Sequence, residues 1–161
     1  MTIIIKFENN VNDLYVSNKN AVMKRKTPIS EIMTRKVVTL NKSDSLETAE
    51  LLFKKHHIRH IPVVEGESII GMLSYTDLLR ISFADAIDED EETVDAIVYN
   101  MFTIEQVMAK NLISVSSSAT VKQVAEILSK KEFHAIPVVD GIKLVGIVTT
   151  TDLINFLLVQ L

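Results

Sequence analysis

Ile61-Pro62-Val63-Val64, followed by Gly66, Gly71, Thr76, Asp77 and Leu78, recurs as Ile136-Pro137-Val138-Val139, followed by Gly141, Gly146, Thr151, Asp152 and Leu153, at a constant offset of 75 residues. The same offset pairs Ile29 with Ile104, Met33 with Met108 and Leu46 with Val121. A chain with this internal register builds one small unit twice. Each copy, residues 29–83 and 103–161, is short, and small units bury too little of their surface to be comfortable alone. Two copies packed side by side around shared apolar surface are therefore expected. Residues 1–28 match neither copy and read as an N-terminal arm, and residues 84–102 read as a linker.

Composition narrows the functional classes. Apolar residues make up 47% of the 161, with no Trp, so Ile, Leu, Val and Met must form the core. A net charge of −4 gives no electrostatic basis for binding bulk nucleic acid. The absence of cysteine excludes disulfides, Cys-ligated zinc and thiol nucleophiles. The opening Met1-Thr2-Ile3-Ile4-Ile5-Lys6-Phe7-Glu8 is too short and too soon charged for a signal peptide. Residues 153–161 are the most apolar stretch, but they are too few to span a bilayer. No membrane association is expected, and the cytoplasm is the expected compartment.

Period and punctuation set the elements of each copy. Thr27-Pro28 opens a short helix, and Thr103 with Gln106 is a capping-box signature at the equivalent place. The runs Val37-Val38-Thr39-Leu40 and Leu112-Ile113-Ser114-Val115 read as strands. Leu46, Ala49, Leu52 and Phe53, and then Val121, Val124, Ala125 and Leu128, recur at steps of three and four, which puts them on one helix face. Next come two hairpins around Glu65-Gly66 and Asp140-Gly141, with Pro62 and Pro137 near the start of a strand. Final helices begin near Tyr75 and Thr150. The expected class is α+β, two βαββα units related by a pseudo-two-fold axis.

Several charged groups have simple readings. Lys24-Arg25-Lys26 is a solvated basic run, and Asp88-Glu89-Asp90-Glu91-Glu92 a solvated acidic linker without the glycine and terminal Glu of a calcium loop. His56 and His60 have i, i+4 spacing, yet with His57 they fall where a helix ends, and no metal site is expected. No catalytic triad, carboxylate pair or phosphate loop is discernible, so no catalytic residue is assigned.

Ser74-x-x-Asp77 and Thr149-x-x-Asp152 fall at the junction of a strand and a helix. Such a box caps a helix, and capping alone explains it. The same place also presents free N–H groups and partial positive charge to a phosphate, while the carboxylate suits sugar hydroxyls. Both readings stand at this point.

The pattern from His60 to Asp77, and again from His134 to Asp152, resembles the CBS domain, and the tandem resembles a Bateman module over residues 29–159. The resemblance implies clefts between paired units that bind AMP, ADP, ATP or S-adenosylmethionine as a regulatory ligand, with no required cofactor. It implies ribose contacts from Asp77 and Asp152, with Ser74 and Thr149 as their hydroxyl partners. Thr39 and Ser114 would lie near phosphate or base, and the backbone at Arg59, His60 and Ile61, and at His134, Ala135 and Ile136, would border adenine. Arg59 and His60 match the basic positions of nucleotide-binding members, whereas the second copy offers His134 and then Ala135, a departure that argues against polyphosphate there. The resemblance also implies a homodimer, paired through the apolar last helix, and a separate regulated protein. A scaffold with empty clefts is the alternative.

Overall fold

The computed structural model describes residues 26–82, 99 and 101–161. The acidic run 88–92 and the arm up to residue 25 lie outside them. A single turn of 3₁₀ helix, Ile29–Glu31, opens the first copy. Then follow β1 (Leu40–Asn41), α1 (Leu46–His56), β2 (His60–Glu65), β3 (Ser68–Ser74) and α2 (Tyr75–Ser82). The second copy gives α3 (Ile104–Val107), α4 (Val121–Lys130), β4 (Ala135–Asp140), β5 (Lys143–Thr149) and α5 (Thr150–Gln160). The strands form one sheet of order β1-β2-β3-β5-β4.

Helix boundaries follow local chemistry. Ser45 caps α1 by accepting from the Thr48 N–H at 3.1 Å, and the helix ends on Lys54, Lys55 and His56 where its C-terminal dipole favours cations. His57 then takes the left-handed conformation (φ 52°) and stops it. Thr103 with Gln106 and Thr120 with Gln123 form complete capping boxes on α3 and α4. The helical faces read from spacing are buried as expected: Leu46, Ala49 and Phe53 on α1, and Val121, Val124 and Leu128 on α4.

Both hairpins turn on two residues, Gly66-Glu67 and Gly141-Ile142, with Glu65 opposite Ser68 and Asp140 opposite Lys143. The first residue of each turn has positive φ, 62° at Gly66 and 64° at Gly141, which glycine adopts at no steric cost. The hairpins meet at these tips. Ser68 pairs with Lys143, the Leu144 N–H donates to the Glu67 carbonyl at 3.0 Å, and Lys143 bridges Glu67.

The repeats do not pack as two separate beads. Ile29 and Met33 from the first copy are buried in the core of the second, against Val121, Val124, Leu128, Ile136, Val138 and Val148. Tyr99, Ile104 and Met108 are buried in the core of the first, with Leu40, Leu46, Phe53, Ile61, Leu73 and Leu78. Backbone bonds fix this exchange. Thr34 and Ile147 bond reciprocally at 2.9 and 3.0 Å, and Met72 and Ala109 do so at 2.9 Å each.

The prolines explain how the strands accept this. Pro62 pairs with Met72 and Pro137 with Ile147, each as the third residue of its strand rather than the first. Met72 and Ile147 aim their backbone groups outward at Ala109 and Thr34, so the missing proline N–H breaks no bond within either hairpin. Two short strands expected from sequence are reduced. The first pairs only at Leu40 and Asn41, and in the second copy only Val115 bridges Val138. Val37 and Leu112 turn instead into a third cluster between the copies, with Met72, Ala135 and Ile147, and that crossing leaves little backbone to pair.

Gly71 and Gly146 make room for the exchanged methionines. A Cβ on Gly146 would fall 2.5 Å from Met33 Sδ and 3.1 Å from the Thr34 carbonyl oxygen. One on Gly71 would fall 2.2 Å from Met108 Sδ and 2.8 Å from Met108 Cγ. We therefore expect Gly146→Ala to cost about 1–3 kcal/mol in urea denaturation, and Gly71→Ala less, because a methionine tip can move and a backbone carbonyl cannot. Met108→Ala should relieve most of the Gly71→Ala penalty in a double-mutant cycle, and Met33→Ala only part of the Gly146→Ala penalty. Equal costs and full additivity would contradict this packing.

Candidate functional site

The end of one strand, the start of the next helix and the start of the neighbouring strand come together at the same place in each repeat. His60 pairs with Ser74, and the Tyr75 N–H that opens α2 donates to the Arg59 carbonyl at 2.9 Å. In the second repeat Ala135 pairs with Thr149, and the Thr150 N–H donates to the His134 carbonyl at 3.1 Å. Each helix start is thus tied to the backbone where the adjacent strand begins.

Both Ser/Thr-x-x-Asp boxes are closed. The Asp77 N–H donates to Ser74 Oγ at 3.1 Å, while the Ser74 hydroxyl and N–H donate to Asp77 Oδ2 at 2.5 and 3.4 Å. The Asp152 N–H donates to Thr149 Oγ1 at 3.3 Å, while the Thr149 N–H and hydroxyl donate to Asp152 Oδ2 at 2.7 and 2.8 Å. The capping reading is therefore structural fact, and each box uses one carboxylate oxygen. Asp77 Oδ1 faces Arg80 Nη1 at 3.4 Å. No ion pair of this kind meets Asp152 among the described residues.

Alternation along the strands decides which side chains face the other repeat. Ile61, Val63 and Leu73 point into the first core, so His60, Pro62, Met72 and Ser74 share the opposite face. Met72 on that face packs against Ala135 and Ile147 of the second copy. His60 is consequently half-buried between the repeats, while Arg59 and His134 are exposed. Ile61 and Ile136 are fully buried core residues, so only their backbone can border a ligand. Thr39 and Ser114 are exposed, each one residue before the position where its segment joins β2 or β4. They therefore stand beside Pro62 and Pro137.

His60 is the electrostatic centre of the first site. Burial, then the charges of His134 and Arg59, hold its pKa below the ordinary 6.5, with Asp77 pulling weakly the other way. His134, from the second repeat, is thus close to His60, which spacing within one copy could not indicate. Among the described residues no three His, Asp or Glu side chains gather as metal ligands would.

The CBS-domain family model matches residues 29–84 and 104–159. The chain belongs to the CBS-domain family. Protein MJ1404 of Methanocaldococcus jannaschii is 30% identical over 142 residues, 86% of this chain; the chain spans only 34% of that protein's length. The structure of an acetoin utilization protein, AcuB, from Vibrio cholerae overlays with a TM-score of 0.70 at 26% identity, covering 83% of this chain and 91% of that one. The CBS domain pair of protein MJ0100, solved with 5′-methylthioadenosine and S-adenosylmethionine, overlays with a TM-score of 0.69 at 26% identity, covering 84% and 98%. The tandem CBS pair is therefore the architecture of this chain.

A His whose folded pKa is depressed binds fewer protons folded than unfolded, so its contribution is complete above 6.5 and is lost as pH falls below that value. Denaturation midpoints should therefore decline from pH 7 toward pH 5, and His60→Asn should flatten the decline. An unchanged slope in that variant would show that His60 is not the group responsible.

Proposed function

We propose that the chain is a non-catalytic sensor whose inter-repeat clefts take an adenosine-containing ligand, AMP, ADP, ATP or S-adenosylmethionine, and relay its presence to a separate protein. The observation that carries this reading is the convergence, in each repeat, of a carboxylate at a helix start with backbone and side-chain groups at the adjacent strand start. That face looks toward the other repeat. A carboxylate accepts ribose hydroxyls, and the backbone at the exposed residues Arg59 and His134 offers edge contacts to a base. The MJ0100 pair, a structural neighbour, holds adenosyl ligands. The Ser74 and Thr149 hydroxyls donate to the carboxylates within their own caps and hold them at the helix starts. The proposed setting is the cytoplasm; no described helix is long and apolar enough to cross a membrane.

The two clefts differ in charge. Arg59-His60 in the first is replaced by His134-Ala135 in the second, so phosphorylated adenosine should prefer the Asp77 site. A charge-assisted bond to phosphate contributes about 1.5–3 kcal/mol, enough for roughly tenfold in affinity. The complete caps also favour the second reading, a scaffold in which Asp77 and Asp152 serve only the helices.

We further propose a homodimer. Ile154, Leu157 and Leu158 on α5 are 57%, 56% and 62% exposed, spaced to form one stripe, while Leu153 and Phe156 pack inward. Light scattering at about tens of micromolar should report a dimer. A Leu157→Lys variant should be monomeric.

Calorimetry with AMP separates sensor from scaffold. Asp77→Ala should abolish the tighter binding event and Asp152→Ala should spare it. Each loses a cap worth about 0.5–2 kcal/mol, so unliganded melting points must be compared first. Binding untouched by either substitution would favour the scaffold.

A further inference from the structure

The two site carboxylates differ in a way that strand-start charge does not describe. Asp77 Oδ2 is held by its cap, and its other oxygen lies 3.4 Å from the Arg80 guanidinium. The residue equivalent to Arg80 in the second repeat, 75 positions on, is Asn155, which is exposed and carries no charge. Asp152 Oδ2 is held in the same way by Thr149, but among the described residues no cation pairs with Oδ1. A ribose diol presents two O–H donors, and it needs a carboxylate oxygen not already engaged. In the first cleft those hydroxyls must compete with Arg80, and in the second they meet an oxygen that no described cation engages.

We infer that Arg80 is a specificity-determining residue, which makes the first cleft discriminate in favour of adenosine carrying a 5′ anion, while the second accepts the uncharged nucleoside as readily. This rests on the reading of Asp77 and Asp152 as ribose groups. When ribose displaces Arg80 from Asp77, a cation is released at the rim, and an anionic ligand compensates it where a neutral nucleoside does not. The first site combines Arg59 and Arg80 with Asp77, whereas the equivalent positions beside Asp152 are His134 and Asn155. Arg80 is 74% exposed, so its loss disturbs no core packing.

The test is calorimetry with adenosine and AMP, reading one cleft at a time. In an Asp152→Ala background, Arg80→Asn should lower the ratio of adenosine to AMP dissociation constants by about threefold, the upper part of the range for an exposed ion pair. In an Asp77→Ala background, Asn155→Arg should raise that ratio. Unliganded melting points confirm that each variant is folded. A ratio unmoved in the first background, with Asp77 still required for binding, would overturn this inference and leave the sensor reading standing. Binding that needs neither Asp77 nor Asp152 would overturn both.

Discussion

The reciprocal exchange of one methionine-bearing segment between the two repeats is the constraint on which the rest depends. Met33 sits over Gly146 and Met108 over Gly71, where any side chain on the glycine would occupy the methionine's place. Each segment also satisfies the outward backbone groups of a partner strand, Thr34 with Ile147 and Ala109 with Met72. An unpaired buried amide or carbonyl costs free energy comparable to a lost hydrogen bond, so neither hairpin is complete without the other repeat's segment. The sequence duplicates a unit that the structure never forms from contiguous residues.

That constraint also builds the site. Because Met72 and Ile147 are committed to the exchanged segments, the prolines opposite them cost nothing, and the face they share with His60, Ser74 and Thr149 turns toward the other copy. The helix starts stand at the ends of these same strands, locked to Arg59 and His134 through one backbone bond each. On the proposed reading, a ligand would meet capped carboxylates already in position. Little conformational entropy remains to be lost there, which is what preorganisation requires. Occupancy of such a position would bear on both repeats at once.

Much of this was legible from the residues. The 75-residue register located both hairpins, the glycine turns, the helix starts and the boxes at Ser74 and Thr149, because each depends on chemistry within a few neighbours. The exchange was not legible: Ile29 and Ile104 show equivalence, and equivalence is silent about which core each one enters. The strands at Val37 and Leu112 were overextended for a related reason, since β-branched runs suit a strand and an inter-repeat contact equally. Proximity of His134 to His60 depends on how two faces meet, and Arg80 acquires meaning only once its distance to Asp77 is known.

Native-state hydrogen exchange resolved to single amides tests the exchange most directly. If each repeat is completed by the other, the deepest-protected amides of β2–β3 and of β4–β5 open in one global event, with opening free energies equal to within about 0.5 kcal/mol and matching global unfolding. The Met72 and Ile147 amides, whose acceptors lie in the other copy's segment, should belong to that same class. Two distinct opening free energies, one for each hairpin and separated by several kcal/mol, would contradict the account, because they would mean that one repeat stays folded while the other is lost.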